Sequence, residues 1–82
     1  MEIKVLGTGC AKCKKLHAET EQAIRFAGIP ATLTKVEDLH DIMAFGVMMT
    51  PALVIDGEVV SVGKLPKVAE IVTLIMNKAA RG

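Results

Sequence analysis

The sequence predicts a single α/β domain over residues 1–82, with elements in the order β-α-β-α-β-β-α and a four-stranded mixed sheet carrying helices on both faces. Three observations lead there. A short apolar run, an amphipathic stretch and a second β-rich run open the chain, which is the pattern of a βαβ unit with parallel strands and a right-handed crossover. Asp56-Gly57 then separates two further β-rich runs, as the preferred two-residue hairpin turn does. Last, an apolar stripe at helical spacing closes the chain.

The first strand is read over Ile3 to Leu6, ending at Gly7 and Gly9. A helix follows from Ala11 to Ala27. Leu16, Thr20, Ala23, Ile24 and Ala27 share one face, and Lys14, Lys15, Glu19, Glu21 and Arg25 cover the other. Gly28 is its stop, with Pro30 just beyond. Ala31 to Val36 reads as the second strand. Asp38 can cap a short helix carrying Leu39, Ile42 and Met43 and ended by Gly46. Val47 to Pro51 connects it to the hairpin strands, Ala52 to Ile55 and Glu58 to Val62. After Gly63, Pro66 suits the first turn of a last helix running to about Ala79, whose stripe is Val68, Ile71, Val72, Ile75 and Ala79.

Composition narrows the functional classes. The chain is 51% hydrophobic, too apolar to stay disordered, and its ten basic and nine acidic residues leave a net charge of +1. No basic block is interleaved with aromatics, so no nucleic-acid partner is expected. No apolar run approaches the about 18 residues of a membrane span, and no signal peptide is evident. A cytoplasmic monomer is the expectation.

The chemistry concentrates at Gly7-Thr8-Gly9-Cys10-Ala11-Lys12-Cys13, which contains the only two cysteines. Two cysteines cannot build a disulfide scaffold, so a close pair reads as catalytic or metal-binding. At a helix N-terminus the positive end of the dipole favours a thiolate on the first cysteine, and Lys12, Lys14 and Lys15 add positive potential. A thiolate able to close onto its neighbour is a redox site; the same pair can also grip a soft metal. His17 lies one helical turn beyond Cys13, so a Cys-Cys-His zinc site is conceivable but lacks a fourth ligand; the plainer reading is a partly exposed helix histidine. Thr50-Pro51 stands directly before an apolar strand, where proline marks a strand start or edge and where a cis peptide is tolerated. Met48 and Met49 precede it, either as core or as a soft apolar rim.

Together, Gly7 to Cys13 after the first strand, Thr50-Pro51 opening the third, the hairpin Val54-Ile55-Asp56-Gly57-Glu58-Val59 and Gly63 before the last helix resemble the small thioredoxin-like redox disulfide proteins of archaea and anaerobic bacteria over nearly the whole chain. The resemblance implies a thioredoxin-like fold and a protein-disulfide oxidoreductase without bound cofactor. Cys10 would be the attacking thiol and Cys13 the resolving thiol. Pro51 would be a cis proline facing the disulfide, and the backbone at Thr50 would pair with an extended substrate segment. Lys12 and Gly63 would border the same substrate site, and a thioredoxin-reductase-like flavoprotein would restore the dithiol. The departures are Ala11-Lys12 between the cysteines in place of Gly-Pro or Pro-Tyr, and the absence of Trp and Tyr, which argues against a glutathione site. The chief competitor is a heavy-metal-associated domain that delivers copper or zinc through two thiolates. Such domains carry Met where this chain has Thr8, and end on a strand. A redox-sensing module without turnover is the third alternative.

Overall fold

The computed structural model describes residues 1–81. The elements run β1 (Glu2–Leu6), α1 (Ala11–Ala27), β2 (Thr32–Val36), α2 (Leu39–Ala44), β3 (Ala52–Ile55), β4 (Glu58–Val62) and α3 (Val68–Arg81). The strands form one sheet in the order β2-β1-β3-β4. β1 pairs in parallel with β2, from Glu2 opposite Thr32 to Leu6 opposite Val36. β3 lies antiparallel to both β1 and β4, so Leu6, Val36, Ala52 and Val62 all reach the same end of the sheet.

Alternation along the strands divides the apolar residues between two faces. Ile3 and Val5 of β1 and Leu53 and Ile55 of β3 pack with Leu16 and Ala23 of α1 and Ile71 and Ile75 of α3. Leu6, Ala52 and Val54 point the other way, against Ile42 of α2 and Val47. Helices therefore cover both faces. β3 is buried at all four positions, as a central strand between two helical layers must be. In the Asp56-Gly57 turn both residues have positive φ, 47° and 82°, the conformation that an Asp-Gly hairpin turn favours.

Helix α1 occupies the span read from the sequence, capped by Cys10 and closed where the Gly28 N–H donates to the Ile24 carbonyl. Four details differ. β1 begins one residue earlier, at Glu2, because the Glu2 N–H and C=O both bond to Asp56. β2 begins at Thr32 rather than Ala31. Glu19 is half-buried rather than on the open face, since it lies three residues beyond Leu16 and borders the buried stripe.

The fourth is α3, which starts at Val68 and not in the turn containing Pro66. Pro66 is buried ahead of the helix, and the first helical acceptor is the Lys67 carbonyl, which takes the Ile71 N–H. At its far end α3 continues past Ala79 to Arg81, where Lys78 Nζ and Arg81 Nη2 both reach Glu58 Oε1, at 3.0 and 3.2 Å.

Candidate active site

The site forms where β1 runs out. Cys10 has extended backbone and caps α1, and it is exposed. Its sulfur accepts the Cys13 backbone N–H at 3.2 Å, one of the donors a helix N-terminus leaves without partners. Cys13 lies one turn inside the helix and is only 5% exposed. The two are joined as a disulfide with Cα atoms 5.1 Å apart.

What lets Cys13 sit so deep is Gly7. A Cβ built there would overlap the Cys13 sulfur and come within 3.0 Å of its Cβ, and it would meet Thr50 Cβ at 4.0 Å. The Gly7 N–H donates to the Val36 carbonyl at 3.0 Å, which ties this loop to the end of β2. On the opposite side the Thr50–Pro51 peptide is cis, Pro51 is buried, and its carbonyl accepts the Gly63 N–H at 2.8 Å. Met49 closes over Gly63: a Cβ there would touch three Met49 side-chain atoms at 3.2 to 3.5 Å. Cys13, Thr50, Pro51 and Gly63 are thus brought to one end of the sheet with Gly7 and Met49 between them. Lys12 is exposed on the first turn of α1 and, among the described residues, makes no ion pair.

His17 does not join the cysteines. Its Nδ1 is 3.1 Å from Glu21 Oε1, one turn further along the helix. Among the described residues no three His, Cys, Asp or Glu side chains gather into a group able to hold a metal ion.

A small cavity of about 40 Å³ opens beside the buried sulfur, lined by Val5, Gly7, Gly9, Cys13, Lys14, Lys35 and Glu37. The local sequence pattern singles out neither Lys35 nor Glu37. The signal that could have found them is the parallel pairing itself: the loop leaving β1 after Leu6 and the loop leaving β2 after Val36 must emerge side by side. A larger groove, about 780 Å³ along β4 and the start of α3, is lined by none of the site residues. It is open and borders an edge strand, so size alone does not make it the reactive site.

An exposed sulfur that a second, shielded sulfur can displace is what dithiol–disulfide exchange requires. Set at the head of the first helix of a β-α-β-α-β-β-α fold, it defines a thiol–disulfide oxidoreductase of the thioredoxin-like class. Comparison with known proteins agrees. The thioredoxin domain family matches residues 1–76. A thioredoxin of Methanothermobacter thermautotrophicus is 34% identical over 71 residues, covering 87% of this chain and 92% of the relative. A thioredoxin of Methanocaldococcus jannaschii is 38% identical over 69 residues, covering 84% and 79%. The chain belongs to the thioredoxin family, and its Cys10–Cys13 pair is that of a thioredoxin-type thiol–disulfide oxidoreductase.

Proposed function

We propose that the protein reduces disulfides of other proteins, with Cys10 as attacking thiol and Cys13 as resolving thiol. The observation that carries the assignment is the contrast in burial, an exposed Cys10 against a Cys13 that is 5% exposed. The thiolate of Cys10 attacks one sulfur of the substrate disulfide, whose S–S bond breaks and releases the first substrate thiolate. Cys13 then attacks the Cys10 sulfur, the Cys10–substrate bond breaks, and the second thiolate leaves. Two electrons pass from the dithiol to the substrate. The helix dipole and the nearby Lys12 favour the Cys10 thiolate.

Thr50 and Pro51, at the start of β3, offer backbone to an extended substrate segment, a form of strand addition. Gly63 keeps the neighbouring wall low, and Met48 and Met49, 96% and 62% exposed, supply a deformable apolar rim. A thioredoxin-reductase-like flavoprotein would return the two electrons. A cytoplasmic setting, where such reduction keeps thiols free, fits the reading.

Two variants test it. Cys10→Ser should abolish disulfide reduction, and Cys13→Ser should accumulate mixed disulfides with its targets, seen as added mass that dithiothreitol removes. A Cys13→Ser protein that reduces disulfides as fast as wild type in a single turnover would overturn the resolving role.

A further inference from the structure

We infer that Met48 and Met49 are modification sites: peroxide converts them to sulfoxides, and the polar rim that results weakens docking of protein disulfides while the thiols stay intact. The inference rests on the proposed function, in which these two side chains form the rim of the docking site.

Met48 is 96% exposed, the most open of the large apolar side chains among the described residues, and Met49 is 62% exposed. Val47 before them and Pro51 after them are buried, so Met48, Met49 and Thr50 are held outward between two anchors. Met49 is packed as well as open. A Cβ on Gly63 would meet its Cε, Cβ and Sδ at 3.2, 3.3 and 3.5 Å. Its thioether therefore lies with one side against Gly63 and the other toward water.

The residue type carries the chemistry. Leucine or isoleucine would give an apolar rim that peroxide does not touch. A thioether gives the same apolar contact but is readily oxidised to a polar sulfoxide. The step balances. The sulfur gives an electron pair to one peroxide oxygen, an S–O bond forms, the O–O bond breaks, and the other oxygen leaves as water. The methionine is oxidised by two electrons and the peroxide reduced by the same two. A sulfoxide reductase drawing on a dithiol returns the thioether, with water as the second product. Pressing an S–O dipole against an apolar partner costs free energy unless the oxygen finds a donor, so docking weakens. Cys10 and Cys13, joined as a disulfide, offer peroxide no thiolate meanwhile. Met43 on α2, 61% exposed, and Met76 on α3, 48% exposed, are internal controls outside the rim.

The test treats the disulfide form with hydrogen peroxide, maps sulfoxides by peptide mass, and restores the dithiol with dithiothreitol. Reduction of insulin is then compared with reaction toward dithiobis(nitrobenzoate). Met48 should be oxidised first, ahead of Met43 and Met76. Insulin reduction should slow severalfold as Met48 and Met49 are modified, while the small disulfide still reacts at its untreated rate and releases two equivalents of thiolate. In the double variant Met48→Leu with Met49→Leu, which keeps Met43 and Met76, peroxide should leave the insulin rate where it stood before treatment. Sulfoxide at Met48 and Met49 with no slowing on insulin overturns the inference. So does equal slowing on both substrates, which would mean damage to the thiols or the fold. Slowing of the double variant as large as that of wild type overturns it too, by placing the effect at another residue. In each of these cases the untreated protein still reduces insulin. An untreated protein that reacts with the small disulfide but not with insulin would overturn the proposed function itself, and the inference with it.

Discussion

The two ends of the sheet are built differently. At the end where β1 finishes, the loops are tied by backbone bonds, Gly7 N–H to Val36 and Gly63 N–H to Pro51, and the side chains left outward include Cys10, Met48 and Met49. At the opposite end charged and polar side chains do the tying. Asp56 Oδ1 takes the Glu2 N–H at 2.7 Å, and Glu58 gathers Lys78 and Arg81 from the end of α3. The difference shows how so small a domain divides its labour. The side-chain clamps lie at the end away from the reactive sulfur. At the reactive end, backbone bonds hold the loops while the sulfur and the apolar rim remain accessible.

The largest effect should come from Gly7→Ala at the reactive end. The added methyl has no flexible neighbour to displace: it meets the sulfur and Cβ of Cys13. Overpacking of this kind costs about 1–3 kcal/mol. Denaturant unfolding of the oxidised protein should show that loss. Wild-type stability with an intact Cys10–Cys13 disulfide would break the claim that this end is fixed by close backbone approach.

At the opposite end Asp56→Ala should cost somewhat less, about 1–2 kcal/mol, by removing the acceptor for the Glu2 N–H and placing alanine at a φ of 47°. Asp56→Asn keeps an acceptor and tolerates the left-handed conformation, so it should lie within about 0.5 kcal/mol of wild type. If the two variants unfold alike, the clamp at this end contributes nothing.

Much of this division is legible in the sequence. The spacing of Cys10 and Cys13 at the head of a seventeen-residue amphipathic stretch places the reactive end, and Asp56-Gly57 places the hairpin, because each is a local pattern with a local physical cause. What escapes depends on segments far apart in the chain. Gly7 is needed because of how Cys13 packs back onto it, which no run of residues around position 7 encodes. Lys35 and Glu37 reach the site only through the parallel register of β1 with β2. The start of α3 differs from expectation for the same reason, since Pro66 is taken up by tertiary packing although its type suits a first turn.

Met48 separates stability from docking. Its side chain is 96% exposed, so Met48→Ser should leave unfolding within about 0.5 kcal/mol of wild type. Under the proposed function the same change should slow reduction of a protein disulfide severalfold, because the rim loses apolar contact, while a small aromatic disulfide should react unchanged. Equal loss on both substrates would mean that Met48 acts on the thiols and not on docking.

The smallest effect concerns the charged clamp and its pH dependence. The Glu58 carboxyl is held below its ordinary value of 4.5, first by the hydrogen bond from Lys78 and then by the charges of Lys78 and Arg81. A carboxyl depressed in the folded state contributes stability above its unfolded pKa, and that contribution fades as pH falls through the folded value. Glu58 is exposed, so solvent screens the interaction and the contribution is modest. Wild type should therefore exceed Glu58→Gln in melting temperature by a small margin at neutral pH, with the two converging below pH of about 4. Added salt should shrink the neutral-pH margin as well. A margin that persists in acid would mean that Glu58 acts through packing of its chain rather than through its charge, and the contrast between the two ends would then rest on Asp56 alone.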